Sequence, residues 1–244
     1  HSGPVVHKGV RTAPWNAKRL SSWLSADAIH EFEARLAKAS PLALRKFESA
    51  REHVAHILRI EKLTRIIRIR DEPVRLLDFG CGWGEFLAAC KHFGFEAYGV
   101  DRAAPRISQS IVQIYSSLNE LDERTPFHAI TLFEVLEHLD DPALVLGLLS
   151  KFLAPDGILV LETPDCSNVT DMRTHADYRK IHPLENVNAF THETLKAMAE
   201  RQGFVCIPHI TTHVTVDRLR VIKSEVKKLL KREGKSTQLY FRKR

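Results

Sequence analysis

The order of apolar and polar positions predicts strands and helices that alternate along most of the chain. Short apolar runs at Val74–Phe79 and Ala97–Val100 are typical of buried parallel strands. Between them, Glu85–Phe93 spaces its apolar side chains along one helical face. Strand, turn, helix and strand together form a βαβ unit, whose crossover is right-handed. The pattern therefore predicts an α/β fold built on a mostly parallel sheet.

Later apolar runs extend this sheet. Asp141 and Pro142 are suited to begin a helix, and Thr191 is suited to cap another one. The remaining strands are predicted at Ile111–Tyr115, Ala129–Phe133, Gly157–Leu161, Phe204–Ile210 and Gln238–Phe241.

Residues 1–70 have a different pattern and form a predicted N-terminal extension. Ser21–Lys38 and Pro41–Ile67 carry apolar residues at helical spacing, whereas residues 1–16 are irregular and predicted to be a mobile arm. The predicted division is an arm and helical extension over residues 1–70, followed by one α/β domain over residues 71–244.

Composition narrows the class of protein. No apolar stretch among the 244 residues approaches the ~20 needed for a membrane span. The four cysteines form no C-x-x-C pair, which argues against a zinc ribbon and favours a reducing compartment. These features predict a cytoplasmic protein.

Charge is distributed unevenly. Residues 1–70 hold 14 Lys and Arg against 6 Asp and Glu, residues 217–244 hold 11 against 3, and residues 71–216 hold 11 against 21. Basic ends attract an anionic substrate or nucleic acid. They also occur on ordinary solvated helices, and the apolar stripe of Val216–Arg232 favours that second interpretation.

A glycine motif follows the first predicted strand. Asp78 precedes Gly80, Gly82 and Gly84, and Asp101 ends the next strand. Glycines allow a ligand to approach the backbone closely, and a carboxylate at the end of the second strand can accept hydrogen bonds from a ribose diol. The sequence therefore predicts a nucleoside-bearing cofactor at this edge of the sheet.

The spacing of the glycines separates two such cofactors. A dinucleotide site prefers G-x-G-x-x-G, which would require glycine where the chain has Glu85. A carboxylate at Asp78 would also repel a pyrophosphate, whereas it can hold the ammonium of S-adenosylmethionine. The motif therefore favours S-adenosylmethionine.

Five segments carry a family resemblance: LLDFGCGWGEF (76–86), YGVD (98–101), FHAITLFEVLEHLDDP (127–142), LAPDGILVLETPD (153–165) and HPLENVNAFTHETL (182–195). In these the chain resembles the class I S-adenosylmethionine-dependent methyltransferases, in their small-molecule type 11/12/23 branch. The resemblance implies a Rossmann-like seven-stranded sheet of order 3-2-1-4-5-7-6 with strand seven antiparallel. The candidate cofactor-binding residues are Asp78, Gly80, Cys81, Gly82, Trp83, Gly84, Asp101, Arg102, Ser117, Leu118, Phe133, Glu134 and Val135.

The segment after the fourth strand supplies candidate catalytic residues. Glu134, Glu137 and His138 are predicted within one helical turn, beside the methyl group of the cofactor. His138 is suited to take a proton from an acceptor hydroxyl, with Glu134 and the downstream His182 as further candidates. The alternative is that Glu137 and His138 only cap or pack a helix. Tyr178 and His182 are the predicted acceptor contacts.

The same Glu-x-x-Glu-His spacing also occurs in relatives that bind a divalent metal through a further downstream His. Here Asn186 stands where that His would be expected. A divalent metal is therefore not favoured, and the metal content is left open.

Three functions remain open from the sequence. The first is methyl transfer to a small-molecule acceptor, anionic if the basic ends contribute, on a hydroxyl oxygen of a sugar, glycan or secondary metabolite. The second is an RNA methyltransferase that uses the basic termini. The third is a catalytically silent cofactor-binding protein.

Overall fold

The computed structural model describes residues 56, 59–60, 62–67, 73–108, 110, 112–122, 124, 126–167, 169, 175–181, 185–208 and 236–244. These fall into two compact units, with the described residues up to Leu121 in the first and the later ones in the second. Several predictions lie outside the described residues: the arm 1–16, the helices Ser21–Lys38 and Val216–Arg232, and the candidate His182. The domain boundary expected after residue 70 also lies outside them and stays a prediction.

The first unit contains the glycine motif. Its elements are β1 (Arg75–Phe79), α1 (Glu85–His92), β2 (Glu96–Val100), α2 (Ala104–Ser108), β3 (Ile114–Tyr115) and a 3₁₀ turn at Leu118–Glu120.

Parallel pairing aligns the strands of this unit. Asp78 in β1 lies opposite Gly99 in β2, and Val100 in β2 lies opposite Tyr115 in β3. A side chain at Gly99 would come within 2.6 Å of both Cys81 Sγ and Leu87 Cδ1. Glycine at this position therefore lets α1 and the glycine turn pack directly onto β2.

The described part of the N-terminal extension packs into the same unit. Residues 62–66 are helical, as predicted for the end of Pro41–Ile67. Ile60 and Leu63 are each only 1% exposed. The His56 ring meets the Phe86 ring of α1 edge to face, with the ring centroids 5.6 Å apart. This end of the extension is therefore part of a hydrophobic core.

The second unit contains the remaining strands. Its elements are β4 (Phe127–Phe133), a 3₁₀ turn at Leu136–His138, α3 (Pro142–Phe152), β5 (Leu153–Pro164), α4 (His175–Ile181), α5 (His192–Arg201), β6 (Phe204–Cys206) and β7 (Ser236–Lys243).

The sheet has the predicted topology. The strand order is β3-β2-β1-β4-β5-β7-β6. β4 and β5 pair in parallel, whereas β7 runs antiparallel to both β5 and β6. The Rossmann-like order and the antiparallel seventh strand are therefore confirmed.

Helix starts in the second unit follow the predicted capping residues. The Leu144 backbone N–H donates to the Asp141 carboxylate at 2.9 Å, with Pro142 in the first turn of α3. The Thr194 N–H donates to the Thr191 hydroxyl at 3.2 Å, and the Thr191 N–H donates to the Thr194 hydroxyl at 2.9 Å. Within the described ranges, no helix has both the length and the apolar character needed to cross a membrane.

Candidate cofactor and active site

A turn of left-handed glycines follows β1. Gly80, Gly82 and Gly84 have φ angles of 76°, 59° and 81°. The N–H groups of Gly80 and Cys81 both donate to the Val100 carbonyl, at 2.7 and 3.2 Å. The turn is therefore anchored to the carboxyl end of β2, where the sequence predicted the cofactor.

Two of these glycines have different surroundings. A Cβ at Gly84 would lie 2.5 Å from Val112 Cγ2, so glycine is required there by close packing. A Cβ at Gly82 would meet nothing within 4 Å. Gly82 therefore borders open space into which a ligand can approach the backbone.

Asp101 closes the turn from β2. Its side chain is 6% exposed. Its carboxylate accepts hydrogen bonds from the Gly82 N–H at 3.0 Å, the Ala103 N–H at 2.9 Å and Arg106 Nη1 at 3.2 Å. The carboxylate is thus fixed in place before any ribose binds.

Arg106 is a residue that the sequence analysis missed. The predicted arginine, Arg102, is exposed, whereas Arg106 forms the ion pair with Asp101. Its position in the sequence could have indicated this contact, because a basic residue about one helical turn after Asp101 can reach back to the carboxylate. Arg102 as a cofactor contact stays a prediction.

Buried carboxylates make this turn electronegative. Burial raises the pKa of the Cys81 thiol well above its usual range, and the charges of Asp78 and Asp101 act in the same direction. Asp78 itself is 4% exposed. Arg106 balances the charge of Asp101, so the buried carboxylate of Asp78 is the group in this turn that suits a positively charged ligand and disfavours a phosphate. The residues present therefore fit S-adenosylmethionine, which carries an ammonium and a sulfonium.

The remaining candidates of the first unit lie close to the turn or at the end of β3. Trp83 is half-buried, and its carbonyl accepts from the Ser110 hydroxyl at 3.3 Å. Ser117 and Leu118 are half-buried at the start of the 3₁₀ turn. The neighbouring Ser116 N–H donates to Glu120 Oε1 at 3.0 Å, which ties the two ends of that turn together.

The second unit contains the candidate catalytic segment after β4. Phe133 ends the strand, and Glu134 follows with a φ of 54°, a left-handed conformation that few residues other than glycine adopt. The Glu134 N–H donates to the Glu162 carbonyl at 2.8 Å, which holds this conformation. Val135 then precedes the 3₁₀ turn.

The expected single helical turn across this segment is therefore wrong. Glu134 lies outside the helical residues, which begin at Leu136. Glu134 and His138 are exposed, whereas Glu137 is 2% exposed. The three side chains consequently do not share one helix face, and the geometric basis for a shared ion is lost.

Glu137 is a buried acid within an acidic cluster. Burial raises the pKa of its carboxyl, and the charge of Glu162 acts in the same direction. Its own backbone N–H and a hydrogen bond with the Glu134 side chain oppose this shift. Glu137 Oε2 has no hydrogen-bond partner among the described residues. Burial thus shifts the Glu137 carboxyl toward its neutral form, against the hydrogen bonds that favour its charged form.

His138 has a defined orientation. Its Nδ1 lies 2.8 Å from the Glu185 carbonyl oxygen. A carbonyl oxygen can only accept, so Nδ1 carries the proton and Nε2 of the neutral ring has a lone pair. The ring is thus prepared to accept a proton at Nε2.

The predicted acceptor contact and the metal question concern the rest of the second unit. Tyr178 lies on α4 and is 37% exposed. Searching the residues that the structure describes, we find no group of three His, Cys, Asp or Glu side chains arranged to hold a metal ion.

Comparison with known proteins identifies the family to which the chain is similar. A family model described as "Methyltransferase domain", of type 23, matches residues 49–209. The ubiquinone biosynthesis O-methyltransferase of Bradyrhizobium sp. (strain ORS 278) is 31% identical over 100 residues, covering 37% of this chain and 40% of that protein. The protein of the same name from Xanthomonas campestris pv. campestris (strain B100) is 31% identical over 108 residues, covering 39% and 45%. The chain thus spans less than half the length of these curated relatives.

Solved structures agree in fold. A SAM-dependent methyltransferase from Archaeoglobus fulgidus superposes with a TM-score of 0.56 at 24% identity, covering 83% of this chain and 98% of that one. The S-adenosylmethionine-dependent methyltransferase from Mesorhizobium loti gives 0.52 at 17% identity, covering 70% and 91%. Because the family model matches most of the chain, the chain belongs to the type 23 methyltransferase domain family, within the class I S-adenosylmethionine-dependent methyltransferases.

Proposed function

We propose that the protein transfers a methyl group from S-adenosylmethionine to a hydroxyl oxygen of a small-molecule acceptor. The observation that carries this proposal is the orientation of His138, whose Nδ1 is bound to the Glu185 carbonyl at 2.8 Å. That contact leaves Nε2 as a proton acceptor, which is the group that methylation of a hydroxyl needs. The relatives named ubiquinone biosynthesis O-methyltransferase support oxygen as the receiving atom.

Residues of the first unit would hold the cofactor. Asp101 is suited to the ribose hydroxyls, because its carboxylate is already fixed by Gly82 and Ala103. Asp78 is suited to the ammonium group, and the open face of Gly82 gives the ligand access to the backbone. When bound, the cofactor supplies an electrophilic methyl carbon next to a positive sulfur.

The chain then contributes alignment and a base. We infer that His138 Nε2 accepts the acceptor's hydroxyl proton as the oxygen attacks. Glu134, kept in its left-handed conformation by the Glu162 carbonyl, contributes negative charge that favours the resulting imidazolium. Proton removal by a positioned base is commonly worth about 10²–10⁴ in rate.

The acceptor class is also a proposal. A hydroxyl-bearing sugar, glycan or secondary metabolite fits a base of this kind, and the acidic residues near His138 in the second unit, Glu134 and Glu137, favour a neutral or cationic acceptor over a strongly anionic one. This departs from the anionic acceptor that the basic ends suggested. Those ends are mostly outside the described residues.

A labelled-donor screen tests the proposal. The full chain is incubated with S-adenosylmethionine carrying a labelled methyl group, and with lysate divided into small-molecule, glycan, protein and RNA fractions. We expect the label in a base-stable methyl ether of the small-molecule or glycan fraction, and expect His138→Gln to reduce its formation about 100-fold or more. Label in RNA, or donor binding with no transfer to any fraction, would contradict the proposal.

A further inference from the structure

Two separate stretches of the second unit are joined by backbone hydrogen bonds. The N–H groups of Val187 and Asn188 both donate to the Glu137 carbonyl, at 2.8 and 3.1 Å. The segment 185–188 therefore lies along the 3₁₀ turn Leu136–His138 that carries the proposed base.

The Asn188 side chain makes a second set of contacts with the same turn. Its Nδ2 donates to the Leu139 carbonyl at 2.6 Å and lies 3.4 Å from the Leu136 carbonyl. Carbonyl groups at the end of a short helix have few partners of their own. The amide thus satisfies two carbonyls that flank His138 on either side.

The direct contact to the imidazole comes from the same segment. His138 Nδ1 donates to the Glu185 carbonyl at 2.8 Å, three residues before Asn188. The orientation of the ring consequently depends on how segment 185–188 is held against the turn. Among the side chains that the structure describes in this segment, the Asn188 amide lies within hydrogen-bond distance of carbonyls at both ends of the turn.

We propose that Asn188 is a positioning residue: it holds segment 185–188 against the 3₁₀ turn, so that the Glu185 carbonyl keeps His138 in the Nδ1–H tautomer. This inference rests on the proposed function for its catalytic meaning, because that function uses Nε2 as the base. The tautomer itself can be measured without any acceptor.

Asn186 provides a matched control. It belongs to the same segment, and its Nδ2 also donates to a backbone carbonyl, that of Lys180 at 3.0 Å. That carbonyl belongs to α4 and not to the 3₁₀ turn. Asn186→Ala therefore removes an equivalent amide from the segment while the contacts to the turn remain.

The first test is spectroscopic. Long-range ¹H–¹⁵N correlation spectra of the full chain with ¹⁵N-labelled histidine distinguish the two tautomers, and His138→Gln identifies the signal of His138. We expect the Nδ1–H form in the unmodified chain and in Asn188→Asp a shift toward the Nε2–H form. Asn186→Ala should leave the signal unchanged. An unaltered His138 signal in the Asn188 variant overturns the inference.

The second test is kinetic and uses labelled S-adenosylmethionine with the acceptor fraction found by the screen. We expect Asn188→Ala to lower the transfer rate about 10- to 100-fold with little change in the KM for the donor, because the group displaced is the base and not the cofactor site. In a His138→Gln background the same change should have no further effect. Asn186→Ala should stay within about twofold of the unmodified chain.

The two failures are distinguishable. Equal rates in the unmodified chain and His138→Gln would remove the base from the proposed function, while the tautomer spectra would still decide the role of Asn188. If His138→Gln transfers the methyl group slowly and adding Asn188→Ala lowers its rate further, His138 stays the proposed base and the positioning role of Asn188 is rejected. Where Asn188→Ala melts below the temperature of measurement, Asn188→Asp, which keeps the side-chain size, replaces it in the kinetic test.

Discussion

Gly82 and Gly203 share a left-handed backbone conformation but lie in different parts of the fold. Both have a positive φ, 59° and 86°, and a Cβ added to either one would meet nothing within 4 Å. Gly82 lies in the glycine turn, whereas Gly203 follows helix α5. The pair therefore separates the backbone strain of a substitution from its effect on a ligand.

Alanine at each position gives the first prediction. We expect Gly82→Ala and Gly203→Ala each to lower the free energy of unfolding by about 1–2 kcal/mol, because an L residue is strained in this conformation. Only Gly82→Ala should weaken S-adenosylmethionine binding, by about tenfold or more in calorimetry, since the methyl group of the alanine occupies the open space beside the turn. Equal donor affinities in the two variants would count against the cofactor assignment.

The charge on Asp101 gives the second prediction. Asp101→Asn keeps the shape of the side chain but removes its charge, so the hydrogen bonds that it accepts from a ribose diol weaken. We expect donor affinity to fall about tenfold. Asp122→Asn is the control, because Asp122 also accepts from an arginine but is exposed, and its affinity should stay within about twofold. A similar loss in both variants would contradict a specific role for Asp101.

The buried acid Glu137 gives a prediction with a definite sign. Its pKa is raised in the folded chain, mainly by burial. The stability that it contributes is therefore present below its ordinary value of 4.5 and is lost as the pH rises through the folded value. Relative to Glu137→Gln, the unmodified chain should lose about 1–3 kcal/mol between pH 4 and pH 8.

Denaturant unfolding at several pH values checks this, with Glu193→Gln as a control of opposite sign. The pKa of Glu193 is lowered, first by its own backbone N–H and then by the Thr191 hydroxyl. Its contribution is therefore present above the ordinary value and is lost as the pH falls. Parallel stability curves for the unmodified chain and Glu137→Gln would show that the carboxyl of Glu137 is not perturbed.

Among the elements, helix α3 has a side-chain cap at each end. The cap at its start comes from the preceding residue, and the cap at its end comes from a residue distant in sequence. Asp141 caps the first turn, and Lys243 Nζ from β7 donates to the Ser150 and Leu153 carbonyls at 2.6 and 2.8 Å. The ammonium thus adds a charged donor to carbonyls at the carboxyl end of the helix, where the helix dipole favours a positive charge.

This cap gives the fourth prediction. Lys243→Met keeps the aliphatic length and removes both hydrogen bonds, and we expect a loss of about 1–2 kcal/mol in the free energy of unfolding. Lys151→Met changes an exposed lysine of the same helix end and should cost less than about 0.5 kcal/mol. Thermal or denaturant unfolding measures both, and equal losses would contradict the capping role.

The strands and caps could be predicted from the sequence because they depend on local patterns. Buried parallel strands give continuous apolar runs, and Asp141 and Thr191 cap their helices by contacts within three residues. The boundaries of β5 were predicted less well. The strand was predicted to begin at Gly157, but it begins at Leu153 and includes Asp156, which has a left-handed φ of 58°.

The site was predicted unevenly for the same reason. Asp101 and the glycine turn carry a local motif, so their positions agree with the prediction. The conformation after β4 depends on the Glu162 carbonyl and on segment 185–188, which contact it from far along the chain. No local pattern contains those contacts, and the segment was therefore wrongly predicted as one helical turn. Arg106 was missed because α2, the short helix that carries it, was not predicted from the sequence.

At the scale of the whole molecule, the strand order followed from the family resemblance and not from periodicity. Apolar runs predict strands, but they do not specify which strands become neighbours in a sheet. The observed order and the antiparallel β7 agree with the implied topology. That information came from the five segments that carry the family resemblance.

The state of Cys81 has a practical consequence for inhibition. Its thiol lies within the cofactor turn, but burial and two adjacent carboxylates raise its pKa well above the usual range. The thiolate is the nucleophilic form of a cysteine, so we expect the Cys81 thiol to react slowly with alkylating agents. We therefore expect ligands of this turn to gain their affinity from shape and positive charge, without a covalent bond to that cysteine.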